Sequence, residues 1–227
     1  MTLNEMIYHR KSCRSFVGQP VDAETIEKIL SFEMKPLYPE TKVRMDIVSR
    51  NQVKCICPWT TPQLIAIYSE ETEGYLENIG FLFQQMDLYL QTLGLGVCWL
   101  GLGRMNPRTT SQVEGMKFVI MLAFGHPKGD PLRRDLKGFK RKPMEKISDK
   151  ADPRLEPARL APSAVNSQPW YFTHEGDTIH VWCSKKGSRL DAGIALAHLY
   201  VANEGFRFFK AKTAESLGYH YIGSVTI

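Results

Sequence analysis

The stretch that decides how the rest of the chain is read is Ala161-Pro162-Ser163-Ala164-Val165-Asn166-Ser167-Gln168-Pro169-Trp170. Its two prolines fix their own φ and push the residues before them toward extended conformations. Between them stand Ser163, Asn166, Ser167 and Gln168, whose side chains donate and accept hydrogen bonds. The stretch therefore reads as a rigid polar loop, neither helix nor strand. It is either a structural turn, with a helix closing over residues 157–160 and a strand opening over 171–173, or a platform that presents fixed polar groups to a planar ligand.

A second stretch bears on that choice. Residues 8–16 read Tyr8-His9-Arg10-Lys11-Ser12-Cys13-Arg14-Ser15-Phe16 and set three cations around one serine. Such a run is commonly a solvated charge cluster. It is also what a phosphate clamp needs, since guanidinium groups give bidentate, charge-assisted bonds and Ser12 adds a hydroxyl. Cys13 lies between cations that favour a thiolate, but we read it as inert.

Taken together, the two stretches resemble the nitroreductase family of flavin-dependent oxidoreductases, which pairs an Arg-x-Ser-x-Arg segment with a Pro-Ser-x-x-Asn-x-Gln-Pro-Trp loop. The resemblance implies FMN as cofactor, NADH or NADPH as hydride donor and ping-pong transfer to a nitroaromatic, quinone or similar small acceptor. It implicates Arg10, Lys11, Ser12 and Arg14 in holding the phosphate and polar ring edge, and Pro162, Ser163, Ala164 and Asn166 in the second contact. Val97-Cys98-Trp99-Leu100-Gly101-Leu102-Gly103 is similar to the family's glycine segment, so Leu100 and Gly101 would bring backbone N–H groups to the flavin. Arg141 is the best match for a late basic residue on the phosphate. No catalytic acid or base is implied, because the cofactor carries the chemistry. The other reading is a flavin-binding or sensing protein without turnover.

The rest of the chain supplies elements to carry these stretches. Thr2 or Asn4, and Asp22 or Thr25, are candidate N-caps for two helices. Val43-Arg44-Met45-Asp46-Ile47-Val48 alternates as a strand does, and the apolar runs at 64–68 and 118–124 read as central strands. Ile79, Leu82, Phe83, Met86, Leu90 and Leu93 recur at helical spacing, so residues 75–94 form a long helix ended by Gly94. A hairpin turning at Glu175-Gly176-Asp177 follows the central loop. A last helix opens at Asp191, with His198 as a packing residue, and a final strand runs from Tyr219.

Two halves of similar order emerge, about 1–135 and 136–227, in which Arg10 to Ser15 aligns loosely with Lys140 to Glu145, and Met34 to Arg50 with Ala161 to His174. In the family the proline-serine loop ordinarily comes soon after the arginine segment; here it arrives ~150 residues later, counted along the sequence. The resemblance thus extends to the monomeric, pseudo-dimeric branch, with the family dimer fused and degenerated into one chain. The expected fold is α+β and nitroreductase-like, a mostly antiparallel central sheet flanked by helices, with one flavin per chain set between the halves and a monomer or weak dimer as the working form.

Composition sets the remaining bounds. The chain has 227 residues, 43% hydrophobic, enough for a sizeable core. A formal charge of +5 suits an anionic cofactor and is too dispersed to indicate nucleic acid. Five cysteines without framework spacing imply free thiols, and Cys55-x-Cys57 is too close for a zinc knuckle, so no metal is expected. No apolar run is long enough to span a bilayer. A cytoplasmic protein acting on a small-molecule electron acceptor is the expectation.

Overall fold

A computed structural model describes every residue except 56, 58, 60, 108–112 and 212–217. Local chemistry sets the first elements. In α1 (Leu3–Ile7), the Thr2 hydroxyl accepts the Glu5 N–H and the Glu5 carboxylate accepts the Thr2 N–H, a reciprocal cap. Asp22 caps α2 (Ala23–Ser31) by accepting the Thr25 N–H at 2.9 Å. The strands β1 (Val43–Ser49), β2 (Val53–Lys54) and β3 (Gln63–Ser69) precede α3 (Tyr75–Thr92). After the turn at Gly94 (φ 79°) come β4 (Gly96–Leu100), β5 (Arg104–Met105) and β6 (Lys117–Gly125). The remainder holds α4 (Glu156–Leu160), β7 (Trp170–Glu175), β8 (Thr178–Ser184), α5 (Arg189–Ala202), β9 (Arg207–Phe209) and β10 (Tyr219–Thr226).

The chain divides into two compact units. The first comprises Met1–Met34, Pro39–Tyr75 and Met86–Arg134; the second comprises Lys35–Tyr38, Leu76–Gln85 and Asp135–Ile227. The main division falls between Arg134 and Asp135, and two short pieces of the N-terminal half belong to the second unit.

The first unit is built on an antiparallel sheet of order β1-β3-β6-β4. β3 is central and Leu64, Ile65, Ala66 and Ile67 on it are fully buried, each large side chain contributing about 1.5–3 kcal/mol. The short β2 and β5 pair separately. The second unit has an antiparallel sheet of order β7-β8-β10-β9. In each, two strands lead into a long helix, two more strands follow, and the last strand inserts beside the second. The two sheets share one topology.

Within the second unit, the first half of α3 and the start of α5 cross with no room for side chains. A Cβ on Gly80 would collide with the Leu190 carbonyl, and one on Gly193 with the Glu77 carbonyl. His198 on α5 is fully buried, its Nδ1–H donating to the Pro157 carbonyl at 2.9 Å and its Nε2 3.1 Å from the Gln84 amide nitrogen, as a packing histidine should be. Helix α5 begins two residues before Asp191, after Ser188. Among the described residues no helix is long and apolar enough to cross a membrane, and no group of three or more metal-ligating side chains gathers.

Candidate functional site

The candidate residues fall into two groups, one in each unit. In the first unit, Tyr8 and His9 form a turn that closes α1, and residues 10–16 run on from it as a strap. Isolated bridges tie Ser12 to Val97 and Arg10 to Leu132, and the Cys13 N–H donates to the Val97 carbonyl at 2.8 Å. The strap can lie on β4 because residue 96 is glycine: a Cβ there would meet Cys13 Sγ at 2.6 Å. Cys13 itself is buried, its thiol on the Ser15 carbonyl at 3.2 Å.

Along the strap the side chains part company. Lys11 and Ser12 are half-buried and Arg14 is exposed. Arg10 is 1% exposed and its Nε donates to Asp87 Oδ1 at 2.9 Å. That carboxylate also accepts from Gln91, whose own oxygen accepts the Lys11 N–H. Arg10 thus anchors the strap from within, leaving Nη2 as its guanidinium nitrogen without a partner among the described residues. Arg133 stands near it: burial first, then the charge of Arg10, holds the Arg133 guanidinium below its ordinary range. Burial pushes the Cys98 thiol up, and Arg14 and the Ser12 hydroxyl pull it partly back.

Leu100 ends β4 in the core, paired with Met121. Gly101 is exposed, and among the described residues nothing beyond its chain neighbours stands within 4 Å of where its Cβ would be. The backbone at Gly101 is open to a flat ligand. A cavity of this unit, about 830 Å³, is lined by Tyr68, Met105, Met116 and Phe118, with no strap residue among its lining.

In the second unit, the proline-bounded loop departs from its expected geometry. Ala161 is extended before Pro162 (φ −58°, ψ 144°), but Gln168 before Pro169 has φ 42°, and Val165 and Asn166 have φ 47° and 56°. A turn of 3₁₀ helix, Ala164–Asn166, occupies the centre. Non-glycine residues held at positive φ cost roughly 1–3 kcal/mol each, and a β-branched residue is the least tolerant of it.

Hydrogen bonds hold this strain. The Ser163 hydroxyl accepts the Gln168 N–H at 2.9 Å; the Gln168 side chain accepts the Lys142 N–H at 2.6 Å and donates to the Arg159 carbonyl at 2.9 Å. Arg141 donates to Asn166 Oδ1 and to the Leu160 carbonyl, and Asn166 donates to the Lys140 carbonyl at 2.5 Å. The amides that the sequence offers to a ligand are engaged in fastening the loop to residues 140–142. What the loop presents outward is Val165, 98% exposed.

Asp191 completes the loop's support and was legible in the sequence only as a helix start. It is 4% exposed and accepts the Ala164 N–H at 3.2 Å. Burial pushes its carboxyl up to about 6, against the opposing pull of that N–H. It also lines a cavity of about 430 Å³ beneath the loop.

A cationic strap, an open glycine backbone and a proline-bounded polar loop, carried on antiparallel units of one topology, define an α+β protein of the nitroreductase class. The chain belongs to that family: the family described as "Putative TM nitroreductase" matches residues 2–203. Among solved structures, the chain is similar to a "putative nitroreductase" of Thermotoga maritima, 22% identical over 99% of this chain and 92% of that one, with a TM-score of 0.69. It is also similar to a nitroreductase family protein of Clostridium difficile, 18% identical over 67% of this chain and 100% of that one, TM-score 0.52. An "FMN-dependent Nitroreductase" of Clostridium difficile aligns at 16% identity over 62% and 98% of the two chains, TM-score 0.46. At these identities the likeness is one of fold. Among curated proteins, nothing matches the chain.

Proposed function

We propose that this chain is an FMN-dependent NAD(P)H oxidoreductase of nitroreductase type, reducing a nitroaromatic, quinone or similar small molecule and working as a monomer or weak dimer in the cytoplasm. The observation that best supports a flavin is the donor set of the first unit. Lys11, Ser12 and Arg14 are accessible, and neither Lys11 nor Arg14 is ion-paired among the described residues. Ammonium, hydroxyl and guanidinium are the groups a phosphate monoester needs. The open backbone at Gly101 is the second feature that fits a flat ring.

When bound, FMN would accept hydride from the reduced nicotinamide and pass electrons to the acceptor in a second, separate encounter. The residues of this chain would bind, orient and tune. Lys11, Ser12 and Arg14 would hold the phosphate, while Arg10 keeps their strap in place through Asp87. An N–H aimed by the backbone at Leu100 and Gly101 would stabilise negative charge developing on the ring. In the second unit, Pro162, Ser163, Ala164 and Asn166, stiffened by Arg141, would contribute the preformed loop.

The test is an absorption spectrum of the purified protein loaded with FMN, recorded before and after anaerobic NADH or NADPH. About one flavin per chain, bleached by either nucleotide, is the expected result. Flavin that dithionite bleaches but neither nucleotide does would convert the reading to a binding or sensing protein. Failure to retain FMN at all would overturn it.

A further inference from the structure

Asp191 is a buried ionisable group that the flavin chemistry leaves without a role. It sits in the first turn of α5, 4% exposed, and both of its oxygens face one donor, the Ala164 N–H, at 3.2 and 3.3 Å. Among the described residues no ammonium or guanidinium group forms an ion pair with it. Arg189, two residues earlier on α5, is taken by the buried Glu77 of α3 at 2.6 Å. The Cys183 thiol near the end of β8 is pushed up to about 12, by burial first and then by the charges of Asp191 and Glu77. Lys142, Lys146 and Lys186 line the same cavity as Asp191 without pairing to it.

The Ala164 N–H needs only an acceptor. A neutral amide oxygen would satisfy it without the penalty of a buried charge. What the charge adds is strength, because a hydrogen bond to an ionised acceptor is roughly twice as strong as a neutral one. That strength is placed at a strained point. Ala164 opens the 3₁₀ turn that carries Val165 and Asn166 at φ 47° and 56°, and its bond to Asp191 ties that turn to α5. Burial pushes the carboxyl up to about 6, against the pull of the Ala164 N–H. The charge is therefore gained and lost close to neutral pH.

We propose that Asp191 is a positioning residue for the flavin: its carboxylate holds the turn 164–166 in the shape that meets the cofactor, and its protonation slackens that hold and weakens FMN binding. The cofactor in this proposal rests on the flavin reading of the loop. The hold of Asp191 on the turn does not.

The experiment compares the full-length parent with Asp191→Asn, which keeps the shape of the side chain and removes its charge, at pH 5 and pH 7.5. Fluorescence titration gives FMN affinity. Hydrogen exchange of the FMN-free chain, corrected for the intrinsic rate, gives the protection of the Ala164 amide. At pH 7.5 we expect the variant to bind FMN about fivefold more weakly and its Ala164 amide to exchange about fivefold faster, the difference between a charged and a neutral hydrogen bond. At pH 5 the two proteins should agree in both readings. The FMN phosphate titrates in the same range, but alike with both proteins, so it cancels from their ratio. A merely structural carboxylate predicts the opposite ordering. Removing a buried charge stabilises the fold, and the amides of the variant would then exchange more slowly. Equal FMN affinities at pH 7.5, or a ratio that is the same at both pH values, would overturn the proposal. Unchanged protection of Ala164 would overturn it as well. Faster exchange at Ala164 in a chain that never retains FMN would leave Asp191 holding the turn and sink the flavin reading alone.

Discussion

The two units have one sheet topology, β1-β3-β6-β4 and β7-β8-β10-β9, yet they concentrate their costly features differently. In the first, the cost lies in buried charge: Arg10 and Asp87 form an ion pair with side chains 2% and 0% exposed. In the second it lies in the backbone, for Val165, Asn166 and Gln168 are the non-glycine residues at positive φ among those described. Two stretches that both belong to the second unit, each ahead of the first strand of a sheet, also differ. Residues 35–38, before β1, are tied through ordinary amide bonds, Asn78 accepting from Leu37 and Tyr38 and Gln85 from Lys35. Residues 163–168, before β7, are forced into a strained shape by bonds from residues 140–142, Arg159 and Asp191. A repeated scaffold supplies stability twice and leaves each copy free to specialise where its loops and straps attach. Strain and buried charge persist only where surrounding structure over-determines them, and such places cluster at functional sites.

The comparison breaks most readily at the buried charge. Arg10→Ala leaves Asp87 buried without its cation, and we expect a loss of about 3–5 kcal/mol, read from the denaturation midpoint. A loss below 1 kcal/mol would mean that the ion pair does not carry the strap. The helix crossing of the second unit comes next. Gly193→Ala drives a methyl into the Glu77 carbonyl, on a backbone that cannot step aside without parting the helices, and should cost about 3 kcal/mol. An unchanged midpoint would show that α3 and α5 can separate freely there.

Asp191 sharpens the contrast with a change of opposite sign. Its carboxyl rises from the ordinary aspartate value of 3.8 to about 6 in the folded protein. Between those values the folded state binds more protons than the unfolded one, so stability falls as pH rises through that window, and the whole penalty is present at pH 7. The penalty is about 3 kcal/mol at most, and asparagine gives up part of the bond to the Ala164 N–H. Asp191→Asn should therefore stabilise the fold by about 1–2 kcal/mol at pH 7 and by nothing measurable near pH 3.5. Equal midpoint shifts at both pH values would show that the carboxyl is not held up by burial. A gain here would identify a residue kept for the loop and its cavity at the expense of stability.

How much of this was legible follows from the range of the forces involved. Caps act over three residues, so each of the first two caps could be narrowed to a pair, Thr2 or Asn4 and Asp22 or Thr25, of which the structure uses Thr2 and Asp22; the alternation of β1 and the period of α3 with its stop at Gly94 were also readable. The two-residue strands β2 and β5 and the short β9 have no period to detect. Arg10 looked like a surface clamp because its partner lies 77 residues away. Gln168 looked extended because it precedes proline. Three hydrogen bonds from residues distant in sequence or across the loop overrule that local preference. The motifs located both candidate groups, since they are contiguous in sequence. Asp191 was missed because burial is a property of the assembled unit.

The smallest expected effect on stability makes the sharpest test of function. Gly101 and Gly193 are both glycines beside a candidate site, but their surroundings are opposite. Gly193 is closed in by the Glu77 backbone, whereas among the described residues no atom beyond its chain neighbours lies within 4 Å of a Cβ built on Gly101. Gly101 also lies outside the left-handed region, so alanine fits its backbone without strain. Gly101→Ala should shift the denaturation midpoint by less than about 0.5 kcal/mol. If a flat ring approaches this backbone, the added methyl stands in its way, and FMN affinity should fall by roughly tenfold, about 1.4 kcal/mol. Fluorescence titration of FMN into the variant measures this directly. Affinity equal to the parent's would remove Gly101 from the site, since nothing among the described residues requires a glycine there.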